Sequence, residues 1–200
     1  MDWEKLPVDQ ILLEITNQSN AVLAFENIIG FGKEAISSKI WDTFSKMDVK
    51  NDIEESTKWI KRSLNKFPDS KGIYLGLDTL NMNGGKGSNV EIGLSSTCDP
   101  EIISDDWIFK CDNYGSKHLI KGLYLVSDSF TNIELSSSGE SSFAEYVVFL
   151  GYSGLVLRDA LLNVETENDF ISIWGFHDGD MFYLVQKINN KVSVIANKSL

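Results

Sequence analysis

The chain changes character at Lys66-Phe67-Pro68-Asp69-Ser70-Lys71-Gly72-Ile73-Tyr74-Leu75-Gly76-Leu77. Before this stretch, apolar residues recur every three or four positions, which is typical of amphipathic helices. Pro68 ends the helical pattern because proline lacks a backbone N–H and restricts the residue before it. After it come short apolar runs bounded by turn residues, which are typical of strands. This order predicts an α+β fold, with N-terminal helices packed on a mainly antiparallel β-sheet.

The spacing of apolar residues predicts four N-terminal helices, over residues 9–16, 21–28, 33–47 and from Asn51 or Asp52 up to Pro68. Gly30 and Gly32 are expected to end the second helix. In the fourth helix, acids near the start and bases near the end complement the helix dipole. We therefore expect this part of the chain to be helical throughout.

Short apolar segments beyond Pro68 predict strands. We expect residues 72–77 and 89–94 to form a hairpin with a glycine-rich tip. Residues 107–110 are expected to form a further strand. Residues 118–127 are either a strand or a short helix with a strand after it. Residues 132–142 are polar and predict a surface loop.

The last third predicts a buried segment and then a meander. Residues 146–162 are almost wholly apolar, which predicts a strand followed by a helix from 153 to 162. Three strand-like runs follow at 170–176, 181–187 and 192–196. The dipeptides Asp178-Gly179 and Asn189-Asn190 predict tight turns between them.

Length and composition indicate one domain. With 200 residues, of which 42% are hydrophobic, the chain can bury a large core without a disulfide or a structural metal. We predict a single α+β domain over residues 1–200, with a helical part at 1–68 and a β-rich part at 69–200. The oligomeric state stays open.

The charge is strongly negative and unevenly placed. The net charge is −11, of which −3 belongs to residues 1–70 and −8 to residues 71–200. Such a field repels nucleic-acid phosphates and anionic membrane surfaces, so we expect neither as a direct partner. The plain alternative is that the charge only keeps the protein dispersed.

No apolar run approaches the length of a membrane span, and the first residues lack the features of a secretion signal. These features predict a cytoplasmic protein. Its two cysteines are too few for a disulfide framework and are expected to stay reduced there.

The usual catalytic and metal-binding patterns are weak. Cys98, Cys111, His118 and His177 are too widely spaced for a zinc signature. Residues 83–88 are glycine-rich but do not have the spacing of a phosphate loop. Acidic neighbours raise the pKa of the two thiols, which disfavours a nucleophilic role. We expect no cofactor and no metal.

One alternative is an enzyme of small polar substrates or a metal-dependent enzyme. Its centre would be His177, Asp178 and Asp180, since a histidine near two carboxylates can bind a cation or transfer protons. The turn chemistry of Asp-Gly explains the same residues without any site.

The segment 98–114 carries the strongest functional signal. It places five acids beside large aromatic residues, and the residues expected to bind a partner are Asp99, Glu101, Asp105, Asp106, Trp107, Asp112 and Tyr114. An aromatic anchor supplies affinity through burial, while the surrounding charges steer a basic partner. The alternative is a solvated loop whose aromatic residues pack on the sheet.

Residues 72–125 resemble small acidic immunity proteins encoded beside bacterial polymorphic toxins. The resemblance is carried by Tyr74 to Met82, Asn89 to Ser96, Cys98-Asp99-Pro100, Asp106-Trp107 and Asp112 to Gly115. It implies a cytoplasmic inhibitor, not an enzyme, that binds a cognate, basic bacterial toxin. It transfers a role but no site residues. A protein-interaction module without a toxin is the remaining alternative.

Overall fold

The computed structural model describes residues 8–35, 41–44, 47–79, 88–104, 106–125, 138–177 and 179–198. The described helices are α1 (Val8–Asn17), α2 (Ala21–Ala35), α3 (Trp41–Phe44), α4 (Val49–Lys66), α5 (121–125) and α6 (Ser138–Leu162). The strands are β1 (Gly72–Thr79), β2 (Ser88–Ser95), β3 (Asn113–Tyr114), β4 (His118–Leu119), β5 (Phe170–Phe176), β6 (Met181–Ile188) and β7 (Lys191–Lys198).

The described strands form one seven-stranded sheet in the order β3-β2-β1-β5-β6-β7, with β4 also paired to β2. Strand β1 pairs antiparallel with β2 and parallel with β5, and the other pairs are antiparallel. The parallel pair is possible because α6 returns the chain across the sheet between β2 and β5. The predicted α+β fold with a mainly antiparallel sheet is therefore confirmed.

The helices cover one face of this sheet, which we call the inner face. Along β1, Ile73, Leu75 and Leu77 belong to the main core, whereas Tyr74 belongs to a second cluster. This division follows from the alternation of side chains along a strand. Helix α6 lies at the centre of the helical layer, in contact with α1, α2, α4 and β6.

Helix α6 is one continuous helix, so the predicted strand at its start is wrong. A segment that is apolar on all sides fits a helix surrounded by other elements as well as a buried strand. Arg158 is its one buried base among the described residues. It donates from one nitrogen to the carbonyls of Ile15 and Gln18, both at 2.7 Å, and so caps the end of α1. None of the described helices has the length and apolarity that a membrane crossing requires.

Helix α2 continues through Gly30 and Gly32 to Ala35, so its predicted end is also wrong. An internal glycine costs a helix only about 1 kcal/mol, and the burial of Phe25 and Ile28 outweighs that cost. Gly32 has a packing role, because a Cβ there would lie 2.4 Å from the Trp41 ring. Of the predicted helix at 33–47, residues 36–40 and 45–46 lie outside the described residues.

The residue that caps α4 is Asp48, whose carboxylate accepts the N–H of Asn51 at 3.1 Å. The predicted caps were Asn51 and Asp52. Asp52 is instead buried, and its carboxylate accepts hydrogen bonds from the Tyr152 hydroxyl and the Gly122 N–H, both at 2.8 Å. It therefore joins α4 to α6 and to the start of α5.

Other local predictions also change. Residues Ile108–Lys110 form a 3-10 helix rather than a strand, and 118–125 is a short strand followed by a helix. The predicted loop at 132–142 overlaps α6 from Ser138 onward, and its earlier part lies outside the described residues. The C-terminal meander is confirmed by β5, β6 and β7.

Candidate partner-binding surface

The acidic segment 98–114 packs across the second, outer face of the sheet. Its Cys98, Trp107 and Ile108 form a buried cluster with Tyr74 of β1 and with residues of β5 and β6. Gly72 makes this packing possible, since a Cβ there would lie 2.7 Å from the Trp107 ring and 2.9 Å from Cys98 Cβ. The segment is thus anchored to the sheet by its apolar residues.

Trp107 does not offer the exposed indole that the sequence predicted. Only 7% of its surface is exposed, because the ring fills the space above Gly72. The sequence could not distinguish an aromatic residue that packs on its own sheet from one that awaits a partner.

Asp112 is held by its own chain. One carboxylate oxygen accepts the backbone N–H of Ser96 at 2.7 Å and the Ser96 hydroxyl at 2.6 Å. These hydrogen bonds lower the pKa of Asp112, because they favour the ionised form. The residue thereby fastens the end of the acidic segment to the turn that follows β2.

Asp99 and Glu101 form an exposed turn. The Asp99 side chain accepts the N–H of Glu101 at 3.1 Å, and its carbonyl accepts that of Ile102 at 3.1 Å. The carbonyl of Pro100 accepts a hydrogen bond from Gln186 Nε2 at 2.6 Å. Strand β6 therefore holds the backbone of this turn.

This turn forms one wall of a cleft of about 470 Å³, which we call the acidic cleft. Two of its other carboxylates, Glu167 and Asp169, come from the segment between α6 and β5. Lys71 is its one base among the described lining residues. In the described part of the chain, no ion pair involves any of these four acids. The cleft is therefore a fixed group of carboxylates with little internal compensation.

A second, larger cleft of about 930 Å³ adjoins the first, and we call it the edge cleft. The two share Glu167, Asn168 and Asn190. The edge cleft lies between the end of α4 and the β6–β7 hairpin, and it carries the apolar residues Leu64, Val164 and Val192. The two clefts are therefore neighbours on the surface.

Exposed apolar side chains follow the acidic turn. Ile102, Ile103 and Phe109 are 59%, 51% and 81% exposed, and Tyr114 is also exposed. Asp106 is exposed beside them, while Asp105 lies outside the described residues. The sequence predicted that Trp107 would be the exposed aromatic residue of this acidic segment. In the structure Phe109 is exposed and Trp107 is buried.

Five further residues of this surface were not predicted from the sequence: Ile102, Ile103, Phe109, Glu167 and Asp169. Phe109 was within the chosen segment, yet its exposure depends on how the 3-10 helix turns its side chains. Glu167 and Asp169 lie more than fifty positions away along the chain, so only the tertiary fold brings them to the acidic turn. No local signal marks them beyond their charge.

The alternative enzyme centre was predicted around His177, Asp178 and Asp180, but the His177 ring contacts Tyr74 and Glu91. His177 Nδ1 lies 3.1 Å from the Tyr74 hydroxyl, and Nε2 lies 3.1 Å from a carboxylate oxygen of Glu91. Both ring nitrogens are thus occupied, and Gly76 provides the space, since a Cβ there would lie 2.8 Å from the ring. Asp178 lies outside the described residues, and Asp180 is half-buried.

His118 and the cysteines do not complete that centre. His118 hydrogen-bonds Ser56 at 3.1 Å and stacks on Trp59 of α4, so it faces the helices, whereas His177 is on the outer face. Burial raises the pKa of Cys98 to about 12 and that of Cys111 to about 11, with Asp99 and Asp112 adding to the effect. Among the described residues, no three histidine, cysteine or acidic side chains are grouped as a metal site would require. The glycine-rich residues 83–87 lie outside the described residues.

No family model matches this chain, and no curated protein and no solved structure is significantly similar to it. The two clefts and the exposed side chains of the segment 98–114 are the features of the molecule from which a function can be inferred.

Proposed function

We propose that this protein is an inhibitor of the immunity type, which binds a cationic protein toxin through the acidic cleft and the exposed apolar residues beside it. One observation carries the proposal. Asp99, Glu101, Glu167 and Asp169 converge on one cleft with a single opposing lysine, and the segment 98–114 also carries the exposed Ile102, Ile103 and Phe109.

The physical roles of the two groups differ. Carboxylates held in a cleft concentrate negative potential, which speeds the encounter with a basic protein and disfavours acidic ones. Apolar side chains that are open to water supply affinity when a partner covers them, because their apolar surface is removed from water. Charge alone would give fast but weak binding, so the adjacent apolar residues support a stable complex.

The net charge of the whole chain acts in the same direction. At −11, the protein attracts cationic surfaces. At physiological salt this attraction is screened with a Debye length of about 8 Å. If the toxin is a nuclease, the cleft carboxylates would occupy the positions of substrate phosphates. The basic active site of the nuclease would then be the surface that the inhibitor covers.

The test uses capture of a partner from an extract of the native host. Wild-type protein is compared with a variant that carries Asp99→Asn, Glu101→Gln and Glu167→Gln. We expect the wild type to capture a basic protein and the variant to lose most of it, because three cleft charges are gone. A matched control carries Asp9→Asn, Glu26→Gln and Glu54→Gln, which changes the net charge equally on exposed helical positions.

Co-expression then tests the inhibitory role. The captured protein should arrest growth when expressed alone, and the wild-type chain should restore growth. Equal capture by the cleft variant and by the control would contradict the proposed surface. Capture of a partner that is harmless to the cell would contradict the immunity role and favour an interaction module.

A further inference from the structure

The two edges of the sheet differ in how they are covered. At one edge, β3 and β4 pair with β2, and the segment that carries them is tied to α4 by a 2.7 Å hydrogen bond from Trp59 to the Ser116 carbonyl. At the other edge, β7 is the last strand, and no described strand pairs with its outer side. An unpaired edge is a template for a strand from another chain.

The turn before β7 determines which of its backbone groups point outward. Asn189 and Asn190 have φ values of 51° and 62°, as the two-residue type I′ turn requires. Ile188 and Lys191 flank this turn and form a hydrogen-bonded pair. Because such pairs alternate in an antiparallel ladder, Ser193 bonds to β6, and Val192 and Val194 do not.

An independent contact supports this assignment. Val185, the register partner of Val194, uses both its N–H and its carbonyl to bond the Ser172 hydroxyl of β5, at 2.9 and 2.8 Å. Its backbone groups therefore point away from β7. Val194 must direct its own N–H and carbonyl to the open side of the sheet.

The open edge is short. Beyond Val194 the register shifts by a bulge opposite Leu184, and α1 contacts β7, with the Thr16 hydroxyl 3.4 Å from the Ala196 carbonyl. These features close the far end of β7. The open part is Val192 to Val194, which can exchange up to four backbone hydrogen bonds with an added strand.

The edge cleft lies beside this strand and indicates which side chains an added strand would carry. Val192 is 40% exposed and lines the cleft together with Leu64 and Val164, so apolar side chains fit one face. The exposed charges of the cleft are those of Asp69, Glu165, Glu167 and Lys61. Lys187 is buried and donates to the Thr166 carbonyl. Three exposed acids against one exposed base favour a basic segment.

We propose that an extended segment of the cationic partner, with alternating aliphatic and basic residues, adds to the sheet along β7 at Val192–Val194. This proposal rests on the proposed function and specifies how part of that partner binds. The backbone of the partner would pair with Val192 and Val194, while its lysines or arginines meet Glu165 and Glu167. A second copy of this chain fits less well, because both copies carry a charge of −11.

The test uses a capped peptide of alternating lysine and valine, seven residues long, and the same peptide with every backbone nitrogen methylated. The two have equal charge, but only the first can donate backbone hydrogen bonds. Titration is followed by the amide resonances of the labelled protein. We expect the unmethylated peptide to shift the amides of Val192 and Val194 and to bind at least tenfold more tightly than the methylated one.

The variant Val194→Pro provides a second measurement, since it removes one outward N–H and leaves the bonds to β6 intact. It should bind the unmethylated peptide more weakly than the wild type does, because one of the four backbone hydrogen bonds to the added strand is lost. Equal binding of the two peptides to the wild type, or no shift at Val192 and Val194, would overturn strand addition and leave the acidic-cleft proposal standing. If neutralising Asp99, Glu101 and Glu167 leaves binding of both peptides unchanged, the electrostatic basis of the proposed function fails instead.

Discussion

The Trp107 indole lies directly on the backbone of Gly72, so close that a Cβ at position 72 would be 2.7 Å from the ring. This contact holds the acidic segment against the outer face of the sheet and positions Asp99, Glu101 and Phe109 at its surface. Its removal should disturb both the stability and the binding surface.

Gly72→Ala should therefore lower the free energy of unfolding by about 1–3 kcal/mol, since the added methyl group overpacks a closed site. The matched control is Gly30→Ala at an exposed helical position, where the added Cβ would meet no atom of the described residues within 4 Å apart from its own helix. That change should stabilise the protein by about 0.5–1 kcal/mol. Urea denaturation measures both, and equal effects in the two variants would refute the close contact.

Truncation of Trp107 should lower the stability of the protein, whereas truncation of Phe109 should weaken partner binding. Trp107→Ala removes a buried aromatic ring and should cost about 3–5 kcal/mol of stability. Phe109→Ala removes an exposed one and should change stability by no more than about 0.5 kcal/mol, while it weakens binding of the captured partner. Thermal denaturation and a binding titration separate the two roles. A stable Trp107→Ala variant would show that the indole is not part of the core.

Stability should fall on acidification because of His118. Burial against α4 lowers the pKa of His118 below the ordinary value of 6.5, so the folded protein favours the neutral ring. The stabilisation by the neutral form is fully present above pH 6.5, and it is lost as the pH falls through the pKa of the folded state. Denaturation at a series of pH values should show this loss. In His118→Gln the slope just below pH 6.5 should be smaller, and an unchanged slope would assign it to other groups.

Both thiols should be inert in the folded protein. With pKa values of about 12 and about 11, Cys98 and Cys111 are almost entirely protonated at pH 8, and the thiolate is the reactive form. Iodoacetamide should modify them slowly in the native state and quickly in urea, as followed by mass spectrometry. Fast alkylation of the native protein would show that the buried cluster around Cys98 and Trp107 opens readily.

Several elements could be predicted because their signals are local. The apolar stripe of α4, the stop at Pro68 and the Asn189-Asn190 turn depend on the geometry of a few neighbouring residues. Predictions failed where a tertiary contact outweighed local propensity. Packing carries α2 through two glycines, and the surrounding helices make residues 138–162 one helix. Asp52 resembles a cap in the sequence, but the Tyr152 hydroxyl makes it a buried acceptor.

The candidate surface divides in the same way. The local pattern of acids and aromatics identified the segment 98–114 as unusual, because composition and charge are properties of the chain itself. Only the tertiary structure decided that Trp107 is buried and Phe109 exposed, and only it brings Glu167 and Asp169 to the turn at Asp99. Exposure and distance depend on how remote segments pack, and no short stretch of residues carries that information.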